Sequence, residues 1–262
     1  MKPSMIAAQM YTFREYAQTA EELKSTFQKL SSIGYTAVQV SGIGPIDPLV
    51  VKQYADEYGL NICATHVPWT RLVEDLDALA KEHQLWNCKY IGLGGLPDSY
   101  RSSLEGYRTF IKEVSAIAKV LKEQYGLQFI YHNHDFEFER LGDGRTGMDI
   151  LLAETDPEFV GFELDLYWLQ AGGADPVEWI HKVNGRMQVV HLKDMAVVNR
   201  TPVFAEIGEG NMNYKGIIQA CRETGVEWYV VEQDVCRRDP FESVAISLNY
   251  LLNRVEGVNH ES

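Results

Sequence analysis

Residues 103–134 read SLEGYRTFIKEVSAIAKVLKEQYGLQFIYHNH, and one full change of period lies within them. Ile111, Val114, Ile117, Ala118 and Leu121 recur at helical spacing, and Gly126 supplies a stop. The next residues, LQFIYHNH, are a short apolar and aromatic run that ends in imidazoles, the pattern of a buried strand leading to a polar rim. Working outward in both directions, the same alternation repeats. Strand-like runs are expected at 5–11, 36–42, 60–66, 89–95, 127–134, 160–168, 187–194 and 227–234, each followed by an amphipathic stretch. The helix over 19–34 carries Thr19 as N-cap, Glu22 three residues later and Gly34 as its end. That over 47–59 opens on Asp-Pro and closes at Gly59. A single helix is expected over 72–86.

Eight strand–helix pairs in one chain predict an α/β fold, a single-domain (β/α)8 TIM barrel. A doubly wound sheet is the alternative, but TFREYAQTA after the first strand lacks the glycines that such a sheet uses to bind a dinucleotide. The barrel is expected over residues 1–257, with 258–262 as a frayed tail. The 262 residues carry a net charge of −13. That balance argues against nucleic acid or an anionic membrane as partner. No apolar run reaches the ~18 residues of a membrane span. The N-terminus has no signal-peptide pattern, and Cys63, Cys88, Cys221 and Cys236 show no CxxC spacing. A cytoplasmic protein with reduced thiols is expected.

In such a barrel, chemistry sits at the carboxyl ends of the strands. Parity decides which side chains point inward. Glu163 and Asp165 share one face in VGFELDLYW; His191 shares a face with Val189 and Lys193, and Glu232 with Val230. Aligned on their apolar approach, FIYH, FELD, QVVH and YVVE each deliver one ligand-type side chain: His132, Asp165, His191 and Glu232. Taken singly, each has an ordinary explanation: a hydrogen-bonded strand-end histidine, a loop-capping Asp165, or Glu232 paired with Lys193 or Arg237. Inward charges on four adjacent strands need a compensating group, and mixed imidazole and carboxylate suits a divalent transition metal.

These stretches, with AAQMYTFRE, YHNHDFEF, ELDLYW, VVHLKD and VVEQD, resemble the xylose isomerase-like TIM barrels, among them sugar isomerases and epimerases and inosose dehydratase. The resemblance implies one divalent metal, Mn²⁺ foremost, with Co²⁺, Fe²⁺, Zn²⁺ or Mg²⁺ also compatible. It is bound in that family by Glu, Asp, His and Glu of strands five to eight. Asp165, His191 and Glu232 match the last three. At strand five His132 stands where the glutamate is expected, and Glu137 or His134 are alternative ligands. Where many members carry a histidine three residues after the strand-six aspartate, this chain has Trp168.

The implied chemistry is proton abstraction next to a carbonyl through a metal-stabilised enediolate, with Glu232, His134 and Glu137 as acid/base candidates. The substrate is expected to be a sugar, keto-sugar or cyclitol. Lys193 is read either as a holder of a substrate oxygen or as an ion-pair partner of Asp194 or Glu232. His66 is a candidate for binding a hydroxyl, and Tyr11, Trp69 and Trp168 for an aromatic wall. Isomerisation or epimerisation is the first expectation and inosose dehydratase-like elimination the second, with a non-catalytic sugar-binding barrel behind them. GLGG at strand four lacks the lysine of a phosphate cradle, which favours an unphosphorylated substrate. An endonuclease IV-like phosphodiesterase would require a basic face that this charge does not provide. The family resemblance also allows a homo-oligomer.

Overall fold

In the computed structural model, which describes residues 1–256, the strands close into one barrel. Its staves are β1 (Ile6–Gln9), β2 (Ala37–Val40), β3 (Asn61–Val67), β4 (Tyr90–Leu93), β5 (Gln128–His132), β6 (Val160–Asp165) and β7 (Val189–Leu192). After a hairpin of β8 (Asp194–Val198) and β9 (Thr201–Ala205), β10 (Trp228–Val231) closes the ring between β7 and β1. All barrel pairings are parallel. The expected (β/α)8 architecture is therefore present. The tail expected from residue 258 lies outside the described residues.

Two apolar layers hold the barrel. Ala7, Ala37, Cys63, Ala64, Tyr90, Ile130, Val189 and Val230 form a small cluster. These include the alternate, inward-facing positions of the staves, and small side chains fit the narrow interior. The larger cluster packs strands against helices through residues such as Phe27, Leu30, Phe110, Val114, Phe129 and Phe162. The helix signals hold: Thr19 and Glu22 form a reciprocal capping box, and Gly34 adopts φ +115 where the chain turns back.

Most staves are shorter than the expected runs, and three further differences have clear local causes. The helix expected over 72–86 is two helices, Trp69–Glu74 and Leu76–Leu85, broken where Asp75 takes φ −138 and ψ 35. Leu72 is buried from the first piece and Leu79, Ala80 and His83 from the second, so each packs its own apolar side. The sixth strand stops at Asp165 rather than running to residue 168, because the Asp165 carboxylate accepts the Trp168 amide (3.0 Å) and starts the helix Leu166–Ala171. The hairpin β8–β9 lies between the seventh stave and its helix, where no strand pair was expected. Its two-residue turn, Asn199-Arg200, puts both residues at positive φ, the geometry that matches strand twist. The signal is weak in sequence because arginine occupies the place usually taken by glycine.

The glycine-containing connection at residues 204–214 is anchored. The buried Asp194 carboxylate accepts amides from Met195, Gly208, Gly210 and Met212 at 2.8–3.2 Å. Gly210 is required there, since a Cβ would lie 2.2 Å from Asp194 Oδ1.

His83 supplies a pH-sensitive fastening between its helix and β3. It is fully buried, with Nδ1 donating to the Leu79 carbonyl (2.8 Å) and Nε2 accepting from the Thr65 hydroxyl (2.7 Å). Burial pushes its pKa from 6.5 down to about 4. The folded state thus binds fewer protons than the unfolded chain between these values, so its stabilisation is complete above pH 6.5 and is lost as pH falls toward 4. Urea unfolding of the wild type should lose about 3 kcal/mol across that window from this group. His83→Gln should remove that part of the slope.

Candidate metal and active site

The register explains how the four strand ends converge. His132 pairs with Glu163, two residues before Asp165; Asp165 pairs with His191; His191 pairs with Val230, two residues before Glu232. These steps follow the stagger of tilted staves, so residues at different ladder positions reach one depth. One ligand-type atom from each of His132, Asp165, His191 and Glu232 lies within 4.8 Å of the others, and all four residues are buried.

The contacts are dense. His132 Nε2 is 3.3 Å from Asp165 Oδ2, and His191 Nδ1 is 2.9 Å from Glu232 Oε2. Lys193 Nζ lies 2.7 Å from both Asp165 Oδ2 and Glu232 Oε2, and 2.6 Å from Asp234 Oδ2. Beneath them runs a second polar layer. Glu163 accepts from Gln39 Nε2 (2.8 Å), bonds His66, and lies 3.3 Å from His191 Nε2, which donates to Gln39 Oε1 at 2.6 Å.

The electrostatics follow from this packing. Burial would lower the His191 pKa, but Glu163 and Glu232 outweigh it and raise it to about 10. Burial would likewise raise Glu163, yet the charges of His191 and His66 hold it well below the usual carboxylate range. His132 is pushed well down by burial and by the neighbouring imidazoles, and burial takes His134 down to about 4. Both are therefore neutral near pH 7, the form in which a histidine ligates or accepts a proton.

A divalent cation fits this set. Two imidazoles and two carboxylates suit it chemically, with His191 giving up the proton it shares with Glu232 in order to ligate, and buried His132 Nδ1 has no hydrogen-bond partner. The Lys193 ammonium between Asp165 and Glu232 shows that these oxygens together accommodate a positive charge.

A cavity of about 480 Å³ opens above the cluster, lined by His66, His132, His134, Glu232, Asp234, Trp69 and Tyr11 among others. Expected site residues His66, His134, Glu232, Trp69 and Tyr11 thus meet in one space. Trp168 stands beside it, 5.5 Å from the His134 ring, with its indole nitrogen buried and unpartnered. Lys193 is an ion-pair partner, as one reading expected, of Glu232 but also of Asp165 and Asp234; Asp194 instead binds backbone amides.

Glu137, expected as an acid/base group, is placed elsewhere. It is fully buried, does not line the cavity, and spends its oxygens on the Tyr131 hydroxyl (2.6 Å) and the His134 amide (2.8 Å). The strand ends at His132, and the tight turn over Phe136–Phe138 carries Glu137 back against Tyr131 and the His134 amide rather than into the cavity. Its effect is to hold His134.

Sequence reasoning gave no role to Glu163, Gln39 or Asp234. Inward parity marks the first two. The glycines of GLGG also find their reason here: a Cβ on Gly94 would lie 2.9 Å from His66 Nδ1, and one on Gly95 3.1 Å from His134 Cε1. They make room for imidazoles.

Comparison with known proteins agrees with the barrel fold. Residues 27–253 match the xylose isomerase-like TIM barrel family. The chain belongs to that family. An inosose dehydratase from Lacticaseibacillus casei is 27% identical over 149 residues, which cover 49% of this chain and 48% of that protein. The chain thus spans about half the length of the curated relatives it matches. Two solved sugar phosphate isomerase/epimerases from Parabacteroides distasonis superpose with TM-scores of 0.77 and 0.76 at 24% and 25% identity, covering 96% and 94% of this chain and 94% and 97% of theirs. A xylose isomerase-like barrel from Mycobacterium smegmatis, solved with magnesium, superposes at 0.74 with 14% identity, covering 95% of each chain. Among the described residues of this family member, no helix is long and apolar enough to cross a membrane.

Proposed function

We propose that this barrel is a divalent-metal-dependent enzyme that abstracts a proton next to the carbonyl of an unphosphorylated keto-sugar or cyclitol and then expels a group β to that carbonyl. The observation that carries the reading is the buried His132, Asp165, His191 and Glu232 set beneath an open cavity. Mn²⁺ is the metal proposed. A cation held there polarises the substrate carbonyl and acidifies the neighbouring C–H bond.

The chain's own residues do the rest. His134 is neutral, with an unpartnered buried Nδ1, and takes the proton from carbon. The C–H electron pair becomes the new C=C bond as the β C–O bond breaks. His134, now protonated, hands that proton to the departing oxygen, which leaves as a hydroxyl compound, while His66, held by Glu163, accepts a hydrogen bond from a substrate hydroxyl. Tyr11 and Trp69 wall the ring, with Trp168 behind His134. Elimination is favoured over a two-glutamate epimerisation because strand five contributes His132, and Glu137 is tied away from the cavity. An unphosphorylated substrate is favoured because no arginine or lysine lines the cavity among the described residues.

Epimerisation is the second reading. His66 and His134 flank His132, with ring centroids 4.8 and 5.0 Å from it, an arrangement that suits removal and return of a proton from different sides. The test is to incubate the Mn²⁺-loaded protein in D₂O with inososes and keto-sugars carrying a β leaving group. Enone absorbance with a released leaving group supports elimination. Deuterium at the α-carbon with inverted configuration and no release supports epimerisation. Neither outcome over the panel, with metal bound, sinks the enolising reading.

A further inference from the structure

Lys193 has an unusual position for a residue of a metal site. Its ammonium sits on Asp165 Oδ2 and Glu232 Oε2, two of the oxygens in the four-residue ligand set, each at 2.7 Å. It is only 1% exposed, so the bulk solvent does not compensate its charge. A lysine and a divalent cation cannot share those oxygens at full strength, because both need the same lone pairs and repel one another. A third carboxylate is within reach: Asp234 Oδ2, 2.6 Å from Nζ, on the chain segment just past β10. Asp234 is outside the ligand set and lines the cavity.

We propose that Asp234 is a positioning residue for the metal centre: it is the berth onto which Lys193 withdraws when a divalent ion takes Asp165 and Glu232. The inference rests on the metal reading of the site and adds a role that the ligand set alone does not contain. With Asp234 present, the lysine keeps one carboxylate after surrendering two, and no buried ammonium is stranded. Without it, Lys193 has only the ligand oxygens, and the metal must compete with it for them. Lys193 and Asp234 thus set metal affinity as a pair with opposite signs. Their neighbours on the other sides, Trp168 and Phe204, whose rings lie 5.8 Å from Nζ, offer it no anionic alternative.

The test is a double-mutant cycle on the full chain, read by Mn²⁺ binding from calorimetry and from the electron paramagnetic resonance signal of free Mn²⁺. Lys193→Met should bind Mn²⁺ about tenfold more tightly than wild type, and Asp234→Asn about tenfold more weakly, within the range for coupled charges. In the Lys193→Met background, Asp234→Asn should change affinity less than about twofold. Circular dichroism and thermal melts check that each variant is folded. An equal loss in both backgrounds would mean that Asp234 acts by its charge or as a ligand itself, and the proposal falls. Unchanged or weaker binding by Lys193→Met overturns it as well. If no variant, wild type included, binds Mn²⁺, the metal reading fails and this one with it, an outcome distinct from the other two.

Discussion

Glu232→Ala should lose Mn²⁺ affinity by more than about a hundredfold, the upper end of what supporting residues around metal ligands already cost. Turnover of a keto-substrate should fall by about 10³-fold or more, since the variant loses both a ligand and the electrostatic frame around the reacting carbonyl. The expectation follows from position. Glu232 lies 2.9 Å from His191 and 2.7 Å from Lys193, and it borders the cavity, so one residue joins the ligand set to the substrate space. His191 retains Glu163 and Lys193 retains Asp165 and Asp234, so the barrel should stay folded. Metal analysis after dialysis against Mn²⁺, beside circular dichroism, checks both halves. Retained metal with lost activity would move Glu232 from ligand to base. Retention of both would remove it from the site.

Glu163→Ala should be the most damaging substitution for stability. Glu163 is fully buried and has three partners: Gln39, His66 and His191. Removing it takes one of the two close carboxylates from the buried His191 imidazolium and leaves the Gln39 amide without its acceptor, a change that costs about 3 kcal/mol. For a chain of this size that corresponds to a fall in Tm of about 10 °C. The sign of the pH dependence is determined. Glu163 is held below its ordinary pKa, so what it contributes is present above about pH 4.5 and declines as pH falls below that. His191, raised to about 10, contributes below pH 6.5 and loses this as pH rises toward 10. The gap between wild type and variant should therefore be widest from about pH 5 to 7, measured by urea unfolding. A gap under about 1 kcal/mol throughout would show that the layer beneath the metal site is not a stabilising network.

Much of this arrangement can be read along the chain because it depends on local periods. Thr19, Glu22 and Gly34 mark a helix by bonds within that helix, and they do so in the structure. The alternation in FELD, QVVH and YVVE puts Asp165, His191 and Glu232 inward whatever the neighbours are, because strand parity is a backbone property. Glu137 shows where the method stops. Five residues past His132 the strand has ended, a tight turn resets direction, and parity no longer applies. The hairpin turn at Asn199-Arg200 was hidden because its positive φ values are imposed by strand pairing rather than announced by glycine.

The sequence by itself determined eight strand–helix units, the inward polarity of four strand ends and the mixed imidazole–carboxylate character of the site. Each of these follows from spacing along one segment. Tertiary structure alone decided which charges touch. Lys193 meets Asp234 across 41 residues, Gln39 meets Glu163 across 124, and the glycines of strand four give space to His66 and His134 from two other strands. Such contacts depend on barrel closure and stagger, which set distances between segments, and nothing in the spacing within a segment encodes them.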